Sequence, residues 1–370
     1  MAAGRLSVLH VTQPVEAGVA GYVKTAALSQ VRRGWTVTVA SPTIGTFAAQ
    51  LTRSGVVHHA WEAHRSPATG CLDESRRLRQ ILKEVDPDVV HLHSAKAGLV
   101  GRLVLRGRRP TLFQPHGWSW LACTGGMTRA AIAWERAALR WSTAVVCVGE
   151  GEAALGAARG LRDRLVVIRN GVDLDRFAPA GEEARLAARV ALGIPSQARL
   201  ALCVGRLAPQ KGQDLLLRAW PAIRDGRPDA LLALVGDGEL EPRLRASASP
   251  DVRFVGAVGD ARSWYAACDV VVMPSRWEGL PLTALEAMAT GRGVVAFDVP
   301  GLAEIVRPGT GALVPAGDHQ ALGRALGERL DDPVLMWDEG QQAVIRGKDF
   351  DMGETMDRLA DLTMKVAGRD

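Results

Sequence analysis

No apolar run in this 370-residue chain approaches the roughly 18 residues that a membrane-spanning helix needs. The start, Met1 to Val15, holds one short apolar stretch, Val8 to Val11, and has no signal-peptide layout. The chain is therefore expected in the cytosol. Cysteine is scarce. Cys71, Cys123, Cys147, Cys203 and Cys268 are odd in number, far apart and never in a CxxC pair. That pattern argues against a disulfide framework and against structural zinc, and favours buried free thiols. Low-complexity stretches and short-period repeats are also missing. Basic residues are dispersed and no recognition motif accompanies them, so nucleic acid is not an expected partner.

What is present is an ordinary globular composition, 47% hydrophobic and 23% charged, over a length that suits two domains. The net charge of +5 is unevenly shared. Residues 1–180 carry 23 Lys and Arg against 13 Asp and Glu, whereas residues 181–370 carry 22 against 27. Either this is solvated surface charge, or the first half faces something anionic.

Short apolar runs recur, each followed by a helix-like stretch: Leu6–Val11, Thr36–Ala40, Val89–Leu92, Ala144–Val148 and Leu165–Ile168. The pattern returns at Leu200–Val204, Ala230–Val235, Val270–Met273, Val294–Phe297 and Gly311–Val314. Strands alternating with helices predict parallel sheets covered on both faces. Two such series imply two doubly wound α/β domains. The boundaries are set at residues 1–178 and 179–350, with a lone helix over 351–370 that could return to the first domain. Ligands of open α/β sheets bind beyond the carboxyl ends of the strands. A cleft between two facing domains is the expected site, which favours an enzyme for a two-part reaction over a simple binding module.

The strongest chemical signal is the string from Pro274 through Ser275, Arg276, Trp277, Glu278, Gly279, Leu280, Pro281, Leu282 and Thr283 to Glu286 and Ala289. It follows a buried strand. Pro281 suits a first helical turn, because its missing N–H costs nothing there. Free backbone N–H groups at that helix start make a phosphate site. Glu278 would address sugar hydroxyls, and Glu286 a ribose diol. The second signal is Val204 to Gly212, in which Gly205 and Gly212 permit tight turns. Arg206 and Lys211 can converge on one diphosphate, as a planar fork and a point charge.

The first half offers weaker signals. A turn over 13–21 follows the opening strand and contains Gly18. The run 88–98 ends a strand with His91 and His93 on one face, and no third ligand is expected near them, so no metal site is assigned. Lys96 lies beyond that strand as an acceptor-side cation. His116, followed by Gly117 at the next strand end, could hydrogen-bond a sugar hydroxyl or help with developing charge. Glu150 opens a turn after residues 146–149 and is a second acceptor-side candidate.

These strings resemble the family-4 retaining glycosyltransferases (glycosyl transferases group 1), closest to the subgroup that builds exopolysaccharide and cell-surface glycans. The segment 274–289 matches the family's Glu-x7-Glu motif, 204–212 its Gly-Arg…Lys-Gly loop, and Asn170-Gly171-Val172-Asp173 with Phe177 its hinge. Two departures stand out. Ala17 occupies the first of two positions where members usually have adjacent glycines, and Gly149 replaces a usual serine. The resemblance implies a GT-B fold, two Rossmann-like domains facing across a cleft. It implies transfer of a sugar from a nucleotide diphosphate sugar to a hydroxyl acceptor with retention. His116 and Glu278 become catalytic candidates. Donor-binding candidates are Gly18, Gly205, Arg206, Lys211, Gly279, Leu280, Pro281, Leu282, Thr283 and Glu286.

The donor is a co-substrate, and neither a cofactor nor a metal is expected. Asp173 and Asp175 have the spacing of a metal-binding pair but fall at the hinge. The excess positive charge, including Arg102, Arg106, Arg108 and Arg109, suits a lipid-linked acceptor and peripheral contact at the inner face of a membrane. A small natural product is the alternative acceptor. A non-hydrolysing sugar-nucleotide epimerase, which shares the fold, is disfavoured by the Arg206–Lys211 loop beside the Glu278–Glu286 helix. A catalytically silent sugar-nucleotide-binding subunit is disfavoured by the intact site residues.

Overall fold

The computed structural model describes residues 5–66 and 69–369. It resolves into two compact units: Met1–Arg169 with Glu354–Asp370, and Asn170–Gly353. Residues 170–178 thus group with the second unit. Val172 there bridges Asp351, and the Phe177 ring meets Tyr265 edge-on.

The first unit holds seven strands: β1 (Ser7–Thr12), β2 (Thr36–Ser41), β3 (Val57–Ala60), β4 (Val89–His93), β5 (Thr111–Gln114), β6 (Ala144–Cys147) and β7 (Leu165–Val167). All pair in parallel, in the order β3-β2-β1-β4-β5-β6-β7. The central strands are Val- and Leu-rich because helices cover both faces. The last helix, Met352–Val366, supplies Thr355, whose hydroxyl donates to the Arg169 carbonyl (2.9 Å), and Asp357, which pairs with Arg33.

The second unit holds β8 (Arg199–Val204), β9 (Ala230–Val235), β10 (Val252–Gly256), β11 (Val270–Met273), β12 (Val294–Phe297) and β13 (Gly311–Val314). Its parallel order, β10-β9-β8-β11-β12-β13, repeats that of the first unit. In each sheet the strand order reverses at one place, between β1 and β4 and between β8 and β11. The connections leaving those strands diverge there and leave a crevice at their carboxyl ends. Three strands escaped the apolar-run reading: β5, whose Leu112 and Phe113 are flanked by Thr111 and Gln114, and the pair β3 and β10. Both are edge strands with half-buried or exposed residues, so neither forms a continuous apolar run.

All five cysteines are free. Burial pushes the thiols of Cys203 and Cys268 up to about 12, so both are inert.

Candidate active site

In the second unit, the two sequence motifs are the two connections at the strand-order reversal. Residues 205–212 leave β8 and 274–281 leave β11, and each leads into a helix, Gln213–Arg224 and Leu282–Ala289. Their contact is backbone against backbone. Gly212 has φ +68, and a Cβ on it would lie 1.9 Å from the Pro274 carbonyl oxygen, so no other residue fits. Arg276 fastens the same seam. Its amide donates to the Gln210 carbonyl (2.8 Å), and its guanidinium donates to Pro209 O (2.7 Å) and to both Asp214 oxygens (2.9 and 2.7 Å).

This seam brings Lys211 to Glu278. The ammonium donates to Oε1 at 2.6 Å, with Glu278 buried and Lys211 partly so. Gln210 Nε2 donates to the Trp277 carbonyl at 3.1 Å. Arg206 is half-buried one strand-end away, with its carbonyl accepting from Gln213 Nε2 (3.0 Å). Pro281 is the N-cap of the Leu282–Ala289 helix, so the amides of Leu282 and Thr283 belong to its open first turn, whereas that of Ala284 donates to the Pro281 carbonyl (3.2 Å). Asn170 secures the approach to that turn by donating to the Leu280 carbonyl (2.8 Å). One turn in, Glu286 Oε2 accepts from the Tyr265 hydroxyl at 2.9 Å. Desolvation lifts the Glu286 carboxyl from 4.5 to about 7, with the Tyr265 hydrogen bond opposing it. A cation, a carboxylate and a free helix start therefore share one strand-end crevice. That set can neutralise a diphosphate and bind vicinal hydroxyls.

In the first unit, His116 lies two residues past β5 in the left-handed region, φ +53, followed by Gly117 at +101. A non-glycine residue there is strained by roughly 1–3 kcal/mol and needs outside support. Glu152 supplies it. Its carboxylate accepts from the Gly117 amide (2.5 Å) and the Val148 amide (2.7 Å), and its carbonyl accepts from Trp118 Nε1 (2.7 Å). Burial raises the Glu152 carboxyl to about 7 against those two amides. Sequence reasoning chose Glu150 in this turn, but Glu150 is exposed and reaches only Arg169 (3.5 Å). The capping-box spacing from Gly149 to Glu152 was the available signal.

Several expectations change. Lys96 is not an open acceptor-side cation. Its ammonium is buried and donates to Glu74 (2.8 Å), Ser66 O (2.9 Å) and Thr69 O (2.7 Å), pinning the connection after β3. Arg102 is not at the surface either. It is fully buried, paired with Glu135 (2.8 Å) and stacked on Phe113. Arg106, Arg108 and Arg109 precede β5, at the amino end of the sheet, opposite the strand ends that carry His116. Arg109 also pairs with Asp86. Gly18 lies exposed at the start of the Ala17–Arg32 helix, and Ala17 before it takes φ +57, a conformation suited to glycine. Asp173 is engaged in a local turn, accepting from the Arg176 amide (3.0 Å).

A third histidine does join His91 and His93. Pairing of β1 with β4 sets His10 opposite His91, and a nitrogen of each of the three rings falls within 4.8 Å of the others. His10 Nδ1 and His93 Nε2 are 3.0 Å apart. That is hydrogen-bond spacing, and closer than the roughly 3.4 Å between two nitrogens each about 2.1 Å from a tetrahedral ion.

Comparison with known proteins fits this arrangement. The family model for Glycosyltransferase Family 4 matches residues 17–176, and that for Glycosyl transferases group 1 matches 198–332. An Escherichia coli UDP-Gal:alpha-D-GlcNAc-diphosphoundecaprenol alpha-1,3-galactosyltransferase is 30% identical over 301 residues, 77% of each chain. Among solved structures, Anabaena Alr3699/HepE in complex with UDP and glucose superposes with a TM-score of 0.83 at 22% identity, covering 97% of this chain and 99% of that one. Sucrose-phosphate synthase from Thermosynechococcus elongatus reaches 0.84 at 21% identity, covering 99% and 100%.

Proposed function

The chain belongs to the family-4, group-1 glycosyltransferases, a nucleotide-sugar-dependent transferase of GT-B fold, and from that premise we propose that it extends a lipid-linked glycan with retention of anomeric configuration. The second unit holds the donor. Arg206, Lys211 and the amides at Leu282 and Thr283 take the diphosphate, and Glu286 takes the ribose. Glu278 aligns the sugar, and His116 serves the sugar end of the reaction. The bond from the anomeric carbon to the phosphate oxygen breaks, and a bond to the acceptor oxygen forms on the same face. The acceptor proton passes to the departing phosphate. A clamped leaving group and fixed positions carry most of the rate. The observation that carries the reading is the Lys211–Glu278 contact at the β8–β11 reversal.

Two features support a lipid-linked acceptor. The Escherichia coli relative is named for a diphosphoundecaprenol substrate. Ile44, Leu72 and Met127 are exposed: Ile44 lies in the connection after β2, and Leu72 and Met127 lie in the first turns of the Cys71–Val85 and Gly126–Ala138 helices that follow β3 and β5. No described helix is long and apolar enough to cross a membrane, so such contact would be peripheral. The test is mass spectrometry of products from a panel of sugar nucleotides, offered with undecaprenyl-diphosphate sugars and with free small alcohols. A mass gain of one hexosyl on the lipid diphosphate supports the reading. Transfer only to small free alcohols would make this a natural-product enzyme.

A further inference from the structure

Four side chains of the first unit form one hydrogen-bonded file beneath the strand ends. His116 Nε2 lies 3.0 Å from His93 Nδ1, His93 Nε2 lies 3.0 Å from His10 Nδ1, and His10 Nε2 lies 2.8 Å from Gln30 Oε1. His10, His93 and Gln30 are buried, and the rings of His93 and His116 stack with centroids 5.3 Å apart. The backbone serves the file. Ser94, directly after His93, has φ +67, and His116, two residues past β5, has φ +53, so the backbone turns sharply beside both rings.

A file of imidazoles has a polarity, because a neutral ring donates from one nitrogen and accepts at the other. Desolvation keeps the rings of His10, His93 and His116 neutral. The Gln30 amide turns Oε1 to the ring, and an amide oxygen only accepts, so in this orientation His10 carries its proton on Nε2. His10 Nδ1 then accepts from His93 Nε2–H, and His93 Nδ1 accepts from His116 Nε2–H. The end of the file is determined: His116 Nδ1 is left without a proton.

We propose that His93, His10 and Gln30 are positioning residues that hold His116 as its Nε2–H tautomer, so that Nδ1 is presented as a hydrogen-bond acceptor to a sugar hydroxyl. The assignment rests on the reading that His116 serves the sugar. It gives the buried His93 of β4 a task that neither packing nor metal binding requires. It also makes His116 a neutral acceptor throughout the reaction, not an acid.

Two measurements on the full chain test this. The first is 15N NMR of the ring nitrogens without donor, which is independent of catalysis. All three rings should show protonated Nε2 and bare Nδ1. Nδ1-protonated rings would overturn the proposal. So would stoichiometric Zn²⁺ uptake that is lost in His10→Gln, since the same nitrogens would then be ligands. The second is kinetics. His93→Leu cuts the file and should lower kcat about tenfold, the worth of one neutral hydrogen bond, with the KM for donor little changed. His93→Gln, whose amide both accepts and donates, should restore most of it. If His116→Ala abolishes turnover while His93→Leu leaves kcat unchanged, the file has no positioning role. If His116→Ala turns over normally, the assignment of His116 to the sugar fails instead.

Discussion

Lowering the pH from 7 to 5 should open the first unit while the second stays folded. Desolvation depresses four imidazoles there from 6.5: His10 to about 4, His116 to about 3, and His91 and His93 well below the usual value. A histidine with a depressed folded pKa is protonated more readily in the unfolded chain. Its contribution to stability is complete above pH 6.5 and is lost as the pH falls from there toward the folded value. Glu152 acts in the opposite sense. Its carboxyl is raised by burial from 4.5 to about 7, so acidification through that window removes a penalty. Desolvation lowers His58 and raises Glu135, so these two act in opposing senses.

Between pH 6 and 5, unfolding of this unit should therefore bind about four protons at histidine and release about one from Glu152. At about 1.4 kcal/mol per proton per pH unit, the slope is at most about 4 kcal/mol per pH unit. A fall of one to two pH units thus removes at most about 4–8 kcal/mol, enough to open a unit in the lower half of the usual range of about 5–15 kcal/mol. The second unit lacks this load: Glu286, raised to about 7, gains on acidification, and Asp260, held at about 2 by Arg262, loses stability only below pH 3.8. Hydrogen-exchange mass spectrometry from pH 7 to 5, corrected for intrinsic rates, should show β1 and β4 losing protection before β8 and β11. His91→Leu should remove about one proton from the slope. Equal protection of both sheets down to pH 5 would refute the reasoning.

Three further outcomes are expected. Arg206→Ala should lower turnover at least about tenfold by removing a charge-assisted phosphate contact. Lys211→Ala should do the same and also lower the melting temperature, because it strands the buried Glu278 carboxylate; calorimetric scans of both variants separate these effects. In titrations with the free nucleoside diphosphate, Glu286→Ala should weaken binding and Glu278→Ala should not, and equal weakening would end the division of labour between them. Ala17→Gly should stabilise the first unit by about 1 kcal/mol, read by denaturant melts, since φ +57 is penalised for alanine and free for glycine.

The donor half of the site was legible in the chain because its chemistry is contiguous. Glu278, Pro281 and Glu286 occupy one strand-loop-helix, Arg206 and Lys211 another, and the parallel α/β pattern placed both at strand ends. Local rules suffice for such a site, and apolar runs sufficed for ten of the thirteen strands. Tertiary pairing decided the rest. His10 stands opposite His91 because β1 lies beside β4, a register that no spacing in the sequence encodes. Lys96, beyond a strand, and Arg102 read as open cations, yet each meets a distant carboxylate, Glu74 or Glu135, in the interior. An unpaired ammonium or guanidinium cannot remain buried, so its partner determines whether it is a ligand site or a structural pin. Glu152 shows the same dependence. Its local sequence marks only a helix start, and the fold brings the strained His116–Gly117 turn to its carboxylate.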